Sequence, residues 1–357
     1  MSQRRCFLMM FVGAGLVAMC ASGASASIII ETVPVGNPGN PGDTRYPAGG
    51  VPSFGGVGYT FNIGKYEVTA GQYTSFLNAV AATDTYALYN TDMGNIINYG
   101  ANIQRTGTSG SYTYSVGNGS PTDVAAWANR PVTWVSWGDA ARFANWMHNG
   151  QPTGTQNLAT TEDGAYFVNG ATWFDLAAVP RKANATWVLP TEDEWYKAAY
   201  HKNDGVTGNY WDYPMGSSAF PNNGNPGGDT GNSANFYSGG YAIGSPYYRT
   251  NVGFYSLSDS PYGTFDQGGN VWEWNETVVP LLSNRGVRGG VFANGSNDLR
   301  ASVRSSGGPP FEYGGVGFRL SKVPEPTTIA LLALASLGTR RGRRRRCSRG
   351  PDWPAGR

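Results

Sequence analysis

Gly269-Asn270-Val271-Trp272-Glu273-Trp274 is the stretch whose reading decides the fold of this chain. A glycine–asparagine turn runs into an acid set between two tryptophans, and Arg288-Gly289-Gly290 and Gly317-Phe318-Arg319 follow downstream. The chain around it has 357 residues, with 51 glycines, 21 tyrosines, 11 tryptophans and only 14% charged residues. That length suits one large domain or two small ones, and low charge with many aromatics argues against disorder. The three cysteines, Cys6, Cys20 and Cys347, all fall in segments expected to be removed or embedded in a membrane. The folded part therefore has neither a disulfide nor a thiol.

Residues 1–26 read as a secretory signal: Arg4-Arg5, an apolar run from Phe7 to Met19, and the small-residue exit Ala24-Ser25-Ala26. The run is shorter than the ~20 residues that span a bilayer. At the other end, Val323-Pro324-Glu325-Pro326 precedes an apolar run, Thr327 to Leu337, and an arginine cluster from Arg340 to Arg346. This resembles the PEP-CTERM sorting tag, here residues 322–346, with a tail at 347–357. The resemblance implies an exosortase-type sorting enzyme as partner. The prolines disfavour helix before the apolar run, and the arginines hold the tail on the cytoplasmic side. Contact with a membrane is expected only through this tag. Without Arg4, Arg5 and the eight arginines from Arg340 onward, 16 basic residues remain; without Asp352, 23 acidic ones remain, a net charge near −7. The basic balance belongs to the ends, and no nucleic-acid footprint is left. The expected destination is the cell surface or beyond it.

Residues 27–56 are rich in Gly and Pro and read as a strand followed by a loop, with the compact domain expected over 57–321. Tyr59 to Ile63 alternates as a strand does. A helix is predicted from Gly71 to Ala82, with Thr69 as N-cap and Tyr73, Phe76, Leu77 and Val80 on one face. Asp84 to Ala128 reads as a polar loop. A second helix is predicted from Gly138 to His148, packing through Ala141, Phe143, Ala144, Trp146 and Met147. Asn157 to Arg181 reads as a hairpin and loop. A third helix runs to about Tyr200, opened by the capping box Thr191…Glu194. Asn203 to Ser260 has little periodicity.

Several segments, in order, are similar to the formylglycine-generating-enzyme (sulfatase-modifying-factor) family. They are Gly64-Lys65-Tyr66-Glu67-Val68-Thr69, Pro131 to Trp137, Leu189 to Trp195, Trp211 to Pro214, Asn235-Phe236, Gly269 to Trp274, Arg288-Gly289-Gly290 and Gly317-Phe318-Arg319. The resemblance implies an α+β fold, a C-type-lectin-like variant with sparse regular secondary structure. It also implies calcium. One site would use Asp266, the carbonyls of Gly269 and Val271, and Glu273, a donor set of hard oxygens such as calcium prefers. The plainer alternative is that Glu273 pairs with an arginine in the core. A second site would use Asn235 and the carbonyl of Phe236, but its acidic ligand would stand near Gly244, where no carboxylate is found.

The catalytic part of the resemblance fails. Counted back from Gly317-Phe318-Arg319, the two active cysteines of the family fall on Ser296 and Ala301. Copper(I) is held there by soft thiolates, which an alcohol and a methyl group do not replace, so no catalytic residue is assigned and no copper is expected. The two histidines, His148 and His201, read as surface residues at helix ends. Glu192, Asp193 and Glu194 read as first-turn acids favoured by the helix dipole, and Thr161 to Gly164 as a turn with a possible ligand role. Two functions stand open. One is a non-catalytic binding or structural module displaying the loops Asp84–Ala128, Asn203–Ser260 and Ser296–Tyr313 to an extracellular polysaccharide or a peptide. The other is a cysteine-free oxidoreductase of the same superfamily, with Glu273, Trp272, Arg300, Arg304 and Glu312 around its pocket.

Overall fold

The structure is a computed structural model, and it describes residues 27–324 apart from 49, 172, 225–227, 280–282 and the side chains of 173 and 174. The signal segment and the sorting tag beyond residue 324 lie outside the described residues. In chain order the elements are β1 (Thr32–Val35), β2 (Phe61–Gly64), α1 (Ala70–Val80), β3 (Ile103–Thr106), β4 (Thr113–Val116), α2 (Pro121–Trp127) and α3 (Trp137–His148). Then follow α4 (Trp173–Ala178), β5 (Trp187–Val188), α5 (Glu192–Tyr200), β6 (Trp272–Val279), β7 (Asn284–Arg288), β8 (Ser305–Gly307), β9 (Val316–Gly317) and β10 (Ser321–Lys322). One sheet has the order β1-β2-β10-β5 and is antiparallel throughout. A second has the order β8-β7-β6-β9, with β9 parallel to β6. Among the described residues no helix is long and apolar enough to cross a membrane.

The three long helices form where caps and apolar spacing place them. Thr69, Ser136 and Thr191 each close a capping box, with Gln72, Asp139 and Glu194. The predicted face of α1 is buried at Tyr73, Phe76, Leu77 and Val80. It packs on Phe143 and Trp146 of α3, and Phe318 closes the cluster at 5.4 Å from Phe143. Burying each such side chain is worth about 1.5–3 kcal/mol. Nearly all of α3 is buried, polar residues included. Arg142 is matched by Glu162 at 2.7 Å, and the Asn145 amide donates to the carbonyls of Thr161 and Tyr166.

Residues 27–56 carry the expected strand: β1 pairs along its length with β2, and Val35 and Phe54 are buried. Two expectations change. The polar stretch 84–128 holds a hairpin, two 3-10 turns and α2. The hairpin turns through Gly107 and Gly110 at positive φ, and α2 starts at Ser120-Pro121, an N-cap followed by a proline at the first helical position. Residues 157–181 hold the short helix α4 and an isolated bridge, Tyr166 to Arg181. The region 201–271 has no helix or strand among its described residues and is held by side chains bonded to backbone.

Arg319 fastens these parts together. It is fully buried; Nε and Nη2 donate to both oxygens of Glu273, at 2.6 and 2.7 Å. Its remaining N–H groups donate to the carbonyls of Gly64, Lys65 and Phe265. Trp195 of α5 donates to the same carboxylate at 2.7 Å. Removing one partner strands a buried charge, at a cost of about 3–5 kcal/mol. Arg319→Met is therefore expected to lower unfolding free energy by about that amount in urea with EDTA. Lys65→Ala, which removes the solvent-facing pair with Glu31, should cost about 0–1 kcal/mol in the same assay.

Candidate functional site

The turn Asp266 to Val271 delivers β6 into the interior beside Arg319. Gly269 has φ +82°, and a Cβ there would lie 2.2 Å from the Asn235 carbonyl, so only glycine fits. Asp266 also has a positive φ, and its Oδ2 accepts from the Gly253 N–H at 2.6 Å. Glu67, which the sequence reading used only as part of a motif, joins this group. Asn270 donates to its Oε1 at 3.1 Å, while Oε2 is buried with no partner. Burial, then the Asp266 charge, pushes Glu67 well above the usual carboxylate range. Burial likewise raises Asp266 to about 6. Arg319 is the cation that faces Glu67, Asp266 and Glu273 together.

The fit to calcium differs between the two expected sites. Three acids face one arginine, and burial pushes Glu67 and Asp266 toward their neutral forms, which a bound cation would reverse; the Glu67 oxygen that accepts no hydrogen bond is a hard ligand atom. That environment suits a divalent hard cation beside Asp266 and the turn carbonyls of Gly269 and Val271. Glu273 does pair with an arginine, so it would serve such an ion only through lone pairs left over. Among the described residues no three His, Cys, Asp or Glu side chains converge as a metal cage, so carbonyl oxygens would have to complete the shell. Around Asn235 and Phe236 the donors are neutral. The Asn235 amide donates to the Tyr248 carbonyl and to Asn270, its Oδ1 is unpartnered, and the Phe236 carbonyl accepts from Asn223. Without a carboxylate this second set does not fit a dication.

The expected pocket residues go to separate places. Trp272 donates to the Asn294 side chain. Arg300 bonds the Tyr213 hydroxyl and lies over Tyr213 and Phe220. Arg304 pairs with Glu192, which also pairs with Arg288. Glu312 accepts from Asn90 and sits against Asp139. No polar partner is shared among the four. Ser296 opens a 3-10 turn, Ser296–Leu299, and is half-buried; Ala301 is in the core, its carbonyl accepting from Arg288.

The histidines expected at the surface, and the acids of α5 and of the turn at 161–164, turn out to have structural partners. His201 is fully buried, its ring between the Tyr262 hydroxyl and the Thr207 carbonyl, and burial lowers its pKa. His148 bonds Thr186 instead, so the two histidines do not meet. Of the first-turn acids of α5, Glu192 takes two arginines, Asp193 accepts from the Gly55 N–H, and Glu194 takes Arg181 and Tyr59. Glu162 is spent on Arg142 and the Gly170 N–H, and Asp163 pairs with Lys182.

What the loops bring to the surface is aromatic. Tyr99, Tyr237, Tyr241 and Tyr248 come from two loops far apart in sequence and form a row with successive ring centroids 5.0–5.3 Å apart, all but Tyr237 lying against Phe292. No periodicity marks these tyrosines; the one signal was their place in unpatterned, Gly- and Asn-rich loops.

A family model described as the sulfatase-modifying factor enzyme 1-like domain matches residues 41–323. The chain belongs to that family and has its α+β, C-type-lectin-like fold. Residues 322–346 match the PEP-CTERM protein-sorting motif, which implies export and sorting to the surface by an exosortase. Among solved structures the chain is similar to CarF, with 22% identity and a TM-score of 0.47 over 83% of this chain and 99% of that one. It is similar also to Treponema denticola variable protein 1, with 17% identity and a TM-score of 0.41 over 82% and 95%. PvdO from Pseudomonas aeruginosa shows 17% identity and a TM-score of 0.41 over 82% and 92%. No curated protein matches the chain.

The Glu312–Asp139 contact has a pH signature. Burial, then the charge of Asp139, raises Glu312 to about 8, while the Asn90 bond opposes the rise; Asp139 rises to about 6 through burial. Asp84 adds to both and Arg142 opposes on Asp139. The folded state thus holds protons that the unfolded chain releases. The stabilising share is complete below the unfolded value of 4.5 and is lost as pH climbs through about 8. Glu312→Gln should melt with the parent near pH 4.5 and above it near pH 8, read by scanning calorimetry.

Proposed function

We propose that this protein is an exported, non-catalytic binding module, stabilised by calcium, rather than an oxidase. The observation that carries the reading is the lack of any cysteine from Ser27 to Pro324. Thiolate ligation of copper(I), and the thiol chemistry that depends on it, has no donor in the folded domain. The side chains that could have served in their place support the same reading. Arg304, Glu192, Glu273 and Arg319 are spent on one another or on the core, and both histidines have structural partners. The Gly269 turn, with Asp266, Glu67 and Glu273, would hold the calcium; the ion would supply two positive charges to an interior that lacks them. Ordered loops on that base are the display surface.

The test joins metal analysis to a thermal melt. Calcium binds the folded state alone, so the melting point should rise with added calcium and fall with EDTA, a gain of about 2.7 kcal/mol at a hundredfold excess over Kd. Asp266→Asn and Glu273→Gln should each lose most of that gain, whereas Asn235→Ser should keep it. A redox-active metal retained through anaerobic purification, or conversion of a sulfatase-derived cysteine peptide by the purified chain, would overturn the non-catalytic reading.

A further inference from the structure

Resting on the binding-module reading, we propose that the cations held on the segment Trp211 to Tyr213, Arg300 foremost, form the ligand site, and that the ligand is a polysaccharide of uronic acids. Among the described residues Lys202, Arg300 and Lys322 are the cations with solvent access and no carboxylate at ion-pair distance. Two of them sit on this one segment. The Lys202 ammonium lies 4.0 Å from the centroid of the Trp211 ring, and Arg300 is bonded to Tyr213. Asp212 stands between these aromatics in sequence, but its Oδ1 already accepts from Arg45 at 2.9 Å and from the Tyr46 hydroxyl at 3.1 Å. The acid of the segment is answered and its two cations are not.

Arg300 is held as a fixed fork. It follows the 3-10 turn Ser296–Leu299, which is fastened to the segment directly: the Ala301 N–H donates to the Asp212 carbonyl at 2.9 Å. The Arg300 Nε donates to the Tyr213 hydroxyl at 2.8 Å, and Tyr213 is fully buried, so the anchor belongs to the core. The guanidinium lies 5.0 Å from the ring of Phe220, which is 64% exposed. With Nε spent, Nη1 and Nη2 donate to nothing among the described residues. A guanidinium fixed in this way loses little freedom when it gains a partner.

Geometry chooses the ligand class. The two free nitrogens of the guanidinium lie in one plane and match the two oxygens of a carboxylate. The exposed apolar surface of Phe220 beside them suits the C–H side of a pyranose. A uronic acid joins the two groups in one sugar. An acidic peptide would add main-chain pairing to an open strand edge, and the segment offers none. The N–H groups of Trp211, Asp212 and Tyr213 go to the Tyr200 carbonyl, the Ser218 hydroxyl and the Ser217 carbonyl. The carbonyls of Trp211 and Asp212 accept from Arg45 and from the Ala301 N–H. The chain from Ser27 to Pro324 is net negative, so its overall field repels polyanions and the attraction is local to the fork. Such a site reads the shape of the acid group rather than charge density.

The full chain is run in affinity gels containing alginate, polygalacturonate or hyaluronan, beside gels of dextran and dextran sulfate and an array of acidic peptides. Arg300→Met removes the charge, Arg300→Lys keeps the charge without the fork, and Phe220→Ser removes the exposed ring. Lys322→Ala, which takes away the unpaired cation over Trp187, is the control for charge alone. Melting points confirm that each variant folds. The proposal expects retardation by at least one uronic-acid polymer, weakened about tenfold or more in both Arg300 variants, as loss of an anchoring arginine does. It expects a smaller loss in Phe220→Ser and none in Lys322→Ala. Equal retardation of the parent and either Arg300 variant, an equal loss in Lys322→Ala, or retardation by dextran or dextran sulfate alone overturns it. Peptide capture lost in the Arg300 variants, without glycan binding, overturns the ligand class and leaves the binding module standing. Absence of all capture overturns the site, and joined to a redox metal in the purified protein it overturns the binding module as well.

Discussion

Five N–H donors of one guanidinium meet five acceptors in the dry interior, and the domain is arranged around that fact. Arg319 gives two hydrogen bonds to Glu273 and one each to the carbonyls of Gly64, Lys65 and Phe265. Glu273 sits on β6 and also takes the indole of Trp195 from α5. The end of β2, the irregular region before β6 and the last long helix are thus tied to one charge. A buried ion is tolerated only when every group is matched, so each of these segments must be in its place before any of them is stable.

The same device recurs where a secreted domain of this loop content would often use disulfides. Glu192 holds Arg288 and Arg304, Arg181 holds Glu194 and Glu276, and Arg142 holds Glu162. Such pairs contribute less to stability than to the choice of one arrangement. Asparagines extend the logic to loops: Asn270 bonds Glu67, Asn235 and the Thr250 N–H at once. Among the acids, Glu67 keeps one buried oxygen unmatched. That oxygen lies beside the turn whose glycine the fold requires, where the proposed calcium would answer it.

Helices were legible because their signals are local. Thr69, Ser136 and Thr191 cap where they stand in sequence, and the apolar face of α1 repeats every three to four residues. The β3–β4 hairpin and α2 were hidden by polar composition, though Gly110 and Ser120-Pro121 carried their turn and cap. His201 read as a surface group, and the acids of α5 only as first-turn acids, because the partners that bury a polar side chain are not legible from local spacing: Tyr262 for one, Arg288, Arg304 and Arg181 for the others. The scattered fate of Trp272, Arg300, Arg304 and Glu312 has the same origin. Nearness along the chain between β6 and β9 does not bring side chains to one cleft.

The sequence by itself determined the family, the missing thiols, the capped helices and the sorting tag, since each is written in residue identity and short spacing. Which charges cancel in the interior, which acid is left over, and which tyrosines share a face were decided by the tertiary structure alone. Those properties depend on distances between residues more than a hundred positions apart, such as Tyr99 and Tyr248. In a chain with so little regular secondary structure, only the closed set of long-range hydrogen bonds specifies such distances.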